Sequence, residues 1–182
     1  MWEEAMAQER TGVVTMKGQG LTLTGQELRK GDQLPDVELL DTDLNTVRLA
    51  DFAGKVLILV AVPSLDTAVC NIEARRFNNE ADKLGNDVQV LIVSMDLPFA
   101  QKRWAEEAGV RAIKTLSDHR DAAFGREFGI LLKELRLLAR SVFVADRSGK
   151  LQYVQIVPEV TDEPDYDTAL NLARELVQEM AA

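Results

Sequence analysis

Lys55-Val56-Leu57-Ile58-Leu59-Val60-Ala61-Val62, followed at once by Pro63-Ser64-Leu65-Asp66-Thr67-Ala68-Val69-Cys70, is the stretch on which the reading of the chain turns. The first half is continuously apolar. It lacks the alternation of a half-exposed strand and suits a strand covered on both faces. The second half leads into Asn71 to Leu84, where Val69, Ile72, Phe77, Ala81 and Leu84 fall roughly on one helical face. Gly85-Asn86 supplies the stop. Val88 to Ser94 is a second apolar run of the buried kind. Strand, helix and strand in this order imply a parallel pair with a right-handed crossover.

The pattern extends outward from this unit. Met1 to Arg10 is polar and charged and reads as a frayed tail, which sets the domain at 13–182 with a tail over 1–12. Val13 to Met16 and Leu21 to Thr24 read as a hairpin around Gly18-Gln19-Gly20. Val37 to Leu40 and Thr46 to Leu49 flank a turn at Asp41 to Asn45; they are two short strands or a strand and a loop. Phe99 to Ala108 reads as a helix ended by Gly109. Ile113 to Leu116 is a short strand, at an edge or central. Asp121 to Phe128 reads as a short helix ended by Gly129. Ser141 to Asp146 and Leu151 to Val157 flank Arg147-Ser148-Gly149-Lys150, a hairpin signal. After Pro164, Asp165 to Met180 places Ala169, Leu172, Ala173, Leu176, Val177 and Met180 on one stripe. The sum is an α/β fold, a thioredoxin-like mixed sheet flanked by helices with an N-terminal β-hairpin.

With 182 residues the chain is long enough for one domain with a real core. Its net charge of −9 argues against nucleic acid and anionic membrane surfaces as partners, because both need a cationic face. The longest apolar run is far too short to span a bilayer, and Met1 to Arg10 contains no apolar leader core. One cysteine cannot close an intramolecular disulfide. A reducing, cytoplasmic setting is the simplest context. One cysteine with one histidine is a poor basis for a zinc site, and no metal or cofactor is expected.

The lone cysteine stands about one turn inside a helix start. There the free backbone N–H groups and the helix dipole favour an anion. Such a position can bring a thiol well below its ordinary pKa of ~8.5 and make it a nucleophile. Thr67, three residues earlier, can face the same side of the helix, and Pro63 shapes the mouth of the loop. Asp66 opposes the thiolate unless its carboxylate caps the helix. The plain alternative is that Cys70 is a small buried apolar residue.

Pro63, Thr67 and Cys70 together form the Pro-x-x-x-Thr-x-x-Cys pattern of the peroxiredoxins. The full run from Pro63 to Cys70 resembles their thiol peroxidase subfamily. So do Arg75 to Asn78, Met95 to Gln101, Leu138 to Val144 and Glu163 to Tyr166. The similarity spans roughly Val13 to Val177. It implies a peroxidatic Cys70 that attacks a peroxide oxygen and becomes a sulfenic acid. It implies that Thr67 hydrogen-bonds the thiolate and the incoming oxygen, that Arg140 holds the thiolate anionic and polarises the peroxide, and that Pro63 shields the sulfur. Hydrogen peroxide and organic hydroperoxides are the implied substrates, and a homodimer is the implied assembly. The family's resolving cysteine, however, falls on Ala105. If Cys70 is oxidised, an external thiol, either a thioredoxin-like protein or a small molecule, must restore it, or two chains must join through Cys70, and a delay leaves it open to over-oxidation.

From residues alone, Arg140 is an ordinary edge-strand arginine or a surface ion-pair partner, and Thr67 is more often a helix N-cap than a catalyst. His119 has no assignable catalytic partner. Phe99 and Trp104 divide evenly between core and interface. Two other functions compete with catalysis: a peroxide sensor whose oxidised Cys70 changes a partner contact, and a non-catalytic thioredoxin-fold binding module.

Overall fold

A computed structural model describes residues 8–181. In chain order its elements are strands β1 (Glu9–Met16), β2 (Gln19–Thr24), β3 (Glu38–Leu40), β4 (Thr46–Arg48) and β5 (Val56–Ala61), then helix α1 (Ala68–Leu84). There follow β6 (Val88–Ser94), α2 (Pro98–Ala108), β7 (Ile113–Ser117), α3 (Ala123–Glu127), β8 (Leu131–Leu132) and β9 (Leu137–Leu138). The chain ends with β10 (Ser141–Ala145), β11 (Leu151–Ile156) and α4 (Tyr166–Ala181). A 3-10 turn covers Leu49–Phe52.

Seven strands form one mixed sheet in the order β11-β10-β5-β6-β7-β3-β4. β5 pairs parallel with β6, β6 parallel with β7, and β10 antiparallel with β5. The unbroken apolar character of β5 follows from two cores, one on each face of the sheet. Leu57, Leu59 and Ala61 point into a core shared with Leu23, Phe124, Phe128 and Phe143 beneath the N-terminal hairpin and α3. Val56, Ile58, Val60 and Val62 point the other way, against Ala74 and Phe77 of α1, Trp104 of α2 and Ala169 of α4. A polar residue anywhere in the run would be stranded in one core or the other. The expected mixed sheet, parallel β-α-β unit and hairpin are all present. β3 and β4 are two strands, and β7 is central.

Several expectations shift. The first strand begins at Glu9, not Val13. Its early residues are held by an ion pair from Lys133 to Glu9, by the Gly25 N–H donating to Gln8 O, and by the Arg10 guanidinium donating to Gly129 O. Residues 1–7 of the expected tail lie outside the described residues. The hairpin also gains two unforeseen strands, giving a second sheet β1-β2-β8-β9. Pairs of leucines are too short a run to signal a strand by periodicity. α3 starts later than expected because Ala122 adopts a left-handed conformation, φ 51°. Asp118 explains the shape: its carboxylate accepts from Phe124 N (3.0 Å) and Gly125 N (2.8 Å), caps the short helix, and is pushed up to about 6 by burial. In α4, Ala169, Ala173 and Leu176 are buried as expected; the Met180 side chain lies outside the described residues.

The face of α1 needs the largest correction. Its buried stripe is Cys70, Glu73, Ala74, Phe77 and Ala81, whereas Ile72 is 56% exposed. An isolated isoleucine outweighs a glutamate in a periodicity argument, yet here the glutamate faces inward.

The hairpin docks on α3 through a glycine. Gly25 has φ +111°, and a Cβ there would sit 2.0 Å from Arg126 O. Gly25→Ala therefore costs on the order of 3 kcal/mol through both backbone conformation and collision. Chemical denaturation should show a lower midpoint with an unchanged slope.

Candidate active site

The site lies where β5 and β6 end at their carboxyl edges, the usual place for a binding crevice in such sheets. β5 delivers Pro63, Ser64 and Leu65 to the loop, and α1 begins at Ala68. Pro63 and Leu65 are buried while Asp66 and Thr67 are exposed. Thr67 is the N-cap: it has extended backbone (φ −89°, ψ 149°), and its Oγ1 accepts from Cys70 N at 3.3 Å. Its hydroxyl donates to Ser64 O at 3.1 Å. Here the structure departs from the expectation that Thr67 contacts the thiolate: its proton is committed to the loop and its lone pair to the amide of Cys70. Asp66, exposed and not the cap, takes no part in ending the helix.

Cys70 is the third residue of α1 and fully buried. Arg140 Nη2 donates to Cys70 Sγ at 3.1 Å. The sheet brings the two together. Ser141 of β10 pairs with Ala61 of β5, so the same register carries Arg140 beside Val62, one residue before Pro63. The arginine is 2% exposed and stands one residue before β10, a strand inside the sheet and not at its edge. Its Nε donates to Val160 O at 2.8 Å, and its Nη1 donates to Glu73 Oε2. Both ends of the fork and the Nε are thus held, and the guanidinium has one orientation available to it.

Glu73 is the functional residue that sequence reasoning missed. It is completely buried, and its Oε1 has no hydrogen-bond partner among the described residues. Burial pushes its carboxyl up to about 7 against the opposing pull of Arg140. The available signal was a glutamate three residues after the cysteine, inside an otherwise apolar helical stripe. A buried carboxylate is tolerated only beside a charge partner, and that partner comes from 67 residues away.

Asp96, after β6, braces the loop. Its Oδ1 accepts from Ser64 Oγ (2.7 Å), and its Oδ2 accepts from Leu65 N (2.8 Å) and Ser94 Oγ (2.7 Å). Asp96→Ala releases all three donors and loosens the loop that leads into α1. We expect about a tenfold slower reaction of Cys70 with peroxide through lost positioning, read by rapid-mixing kinetics with the fold checked by circular dichroism.

α2 is clamped to α1 by Trp104 Nε1 donating to Asn71 Oδ1 at 3.0 Å, so Trp104 belongs to the core. Phe99, by contrast, is 66% exposed. Ala105 is partly buried on α2 against the same core. His119 contacts neither Cys70 nor Arg140 by hydrogen bond; only its amide bonds, to Ser117 Oγ. No group of three or more metal-ligating side chains occurs among the described residues, and no helix there is long and apolar enough to cross a membrane.

The redoxin family matches residues 29–170, and the chain belongs to it. Within that family it is a member of the thiol peroxidases. It is 52% identical over 165 residues to thiol peroxidase of Bacillus subtilis (strain 168), covering 91% of this chain and 98% of that protein. It is 52% identical over 157 residues to thiol peroxidase of Staphylococcus aureus (strain MRSA252), covering 86% and 94%. Among solved structures, a peroxiredoxin-like protein from Aquifex aeolicus superposes with a TM-score of 0.85 at 40% identity, over 92% of this chain and 97% of the other.

Proposed function

We propose that this thiol-dependent peroxidase works through Cys70 as its single redox thiol and is returned to the reduced state by an external thiol. The observation that carries the reading is the 3.1 Å contact from Arg140 Nη2 to Cys70 Sγ in a buried site. A guanidinium fixed by Glu73 and Val160 O is a costly thing to bury beside a sulfur that stays neutral and inert. The non-catalytic binding reading has no use for it.

In the reaction the Cys70 thiolate attacks one peroxide oxygen, the S–O bond forms and the O–O bond breaks. The leaving oxygen takes the electron pair and, from solvent, the proton that Cys70 released on becoming a thiolate, and departs as water or alcohol. Cys70 is left as a sulfenic acid. The fixed Arg140 N–H groups and the free amides of the first turn of α1 stabilise the negative charge spread over sulfur and both oxygens. Thr67 acts first by holding the Cys70 amide; it donates to the substrate only on releasing Ser64 O. Pro63, buried at the end of β5, keeps water from the sulfur.

The second half-reaction follows from the cysteine count of one. With Ala105 at the resolving position, no thiol of this chain can condense with the sulfenic acid. A first external thiol forms a mixed disulfide with Cys70 and releases water. A second thiol displaces it, giving an external disulfide and reduced Cys70.

Rapid mixing of reduced protein with one equivalent of hydrogen peroxide tests both halves. We expect fast thiol loss and a gain of one oxygen, trapped by a sulfenic-acid reagent, then recovery on adding dithiothreitol. Thiol loss no faster than for free cysteine would overturn the peroxidatic assignment. Fast oxidation with no recovery by any thiol would overturn turnover, and slow recovery despite plentiful thiol would instead mark a sensor.

We also propose a homodimer that covers Phe99 and the neighbouring Leu97, which is 52% exposed. Phe99→Asp should shift the mass measured by light scattering from dimer to monomer.

A further inference from the structure

At the opposite end of β5 from Cys70 lies a cavity of about 260 Å³. It opens between the Gln33–Asp36 segment, the 3-10 turn at Leu49–Phe52 and the β10–β11 turn. Roughly 20 Å of strand separates it from the cysteine loop, at ~3.3 Å per residue. It is therefore no part of the peroxide site.

The inner wall is apolar: Leu34, Leu49, Phe52 and Leu57. Four charged residues stand at the wall and rim: Asp36, Asp146, Lys55 and Arg147. The two carboxylates are already engaged. Asp36 is paired with Arg48 at 2.6 Å and accepts from Ala50 N at 3.1 Å. Asp146 accepts from Ser148 N, Lys150 N and Gln152 Nε2 at 2.9, 3.1 and 2.8 Å. Hydrogen bonding holds both carboxyls below their usual range, so they stay ionised and occupied. The two cations are not engaged in this way. Neither Lys55 nor Arg147 has an ion-pair partner among the described residues. Arg147 spends only its Nε, on Gly54 O at 3.0 Å.

A greasy pocket whose uncommitted charges are both positive selects an apolar molecule with an anionic head. We propose that this cavity binds a small amphiphilic monocarboxylate, with its hydrocarbon body against Leu49, Phe52 and Leu57 and its carboxylate between Lys55 and Arg147. At the ~30 Å³ that a water-sized group occupies, the space takes a body of about eight to ten heavy atoms. A medium-chain fatty acid or a small aryl carboxylate has that size.

The test is an amide-shift titration of the full ¹⁵N-labelled protein with octanoate, and with octan-1-ol and acetate as controls. Octanoate should shift the amides of Leu34, Ala50, Lys55 and Gly149 and saturate with a Kd near 1 mM or tighter. Acetate, lacking the body, should leave them in place. Octan-1-ol, lacking the charge, should bind at least about fivefold more weakly. The double variant Lys55→Ala/Arg147→Ala changes two exposed side chains and should weaken octanoate by about five- to tenfold. Three results would overturn the proposal: no shift at these amides by about 10 mM octanoate, equal binding of the alcohol, or shifts centred on Pro63 to Cys70.

Discussion

Cys70→Ser is expected to keep the fold and lose peroxide reduction by at least ~10⁴-fold, as removal of a nucleophile does when no other group replaces it. The fold survives for a local reason. The sulfur occupies a closed niche between the first turn of α1 and Arg140, with no exposure. A serine hydroxyl fits that niche and still accepts from Arg140 Nη2, so the buried guanidinium keeps a partner. The cost is about 1 kcal/mol from the smaller atom. Chemistry fails because a hydroxyl at neutral pH has no appreciable anionic form and is a poor nucleophile toward oxygen. Single-turnover mixing with hydrogen peroxide measures the loss, and thermal unfolding measures the fold. Activity retained in the serine variant would remove Cys70 from the mechanism.

Arg140→Met is expected to act on both rate and stability. The reaction loses its fixed cation 3.1 Å from the sulfur, and we expect a rate about 10²- to 10³-fold lower, the usual cost of removing one such donor. Stability falls by about 3–5 kcal/mol, because Glu73 is left buried without its partner. The loss must depend on pH. Glu73 already titrates near 7, above its ordinary 4.5, because burial opposes its charge. Between roughly pH 4.5 and 7 the folded protein therefore holds a proton that the unfolded chain has released. This group's contribution to stability is present below that window and is lost as pH rises through it. Without Arg140 the carboxyl is pushed higher still, so the variant is closest to wild type at pH 5 and weakest at pH 8. Glu73→Gln should flatten that slope. In the double variant it should return most of the stability but none of the rate. Denaturation midpoints across pH, set beside single-turnover rates, separate the two roles: Arg140 touches the reacting sulfur, while Glu73 positions the arginine.

The pair also accounts for what was and was not legible in advance. Pro63, Thr67 and Cys70 lie within eight residues and could be read as one local unit. Arg140 was named only through resemblance, since its residue type and flanking apolar run say nothing about its partner. Glu73 escaped because helical periodicity treats a glutamate as a surface residue, and that reasoning put Ile72 inward in its place. The role expected of Thr67 needed its rotamer, which only the contacts with Ser64 and the Cys70 amide reveal. Phe99 and Trp104, inseparable by spacing, were parted by the hydrogen bond from Trp104 to Asn71.

By itself the sequence determined the α/β class, the parallel unit from β5 to β6 and the place of the lone thiol at a helix start. It also settled that no second cysteine of this chain can resolve an oxidised one. These are properties of local pattern and of counting, and local pattern survives without knowledge of neighbours. Only the tertiary structure decided that a buried arginine meets the sulfur, that a buried glutamate holds the arginine, and that β8 and β9 complete a second sheet. These depend on strand register and helix rotation. A strand slipped by one residue turns every side chain to the other face, and a helix turned by one residue exchanges Glu73 for Ile72.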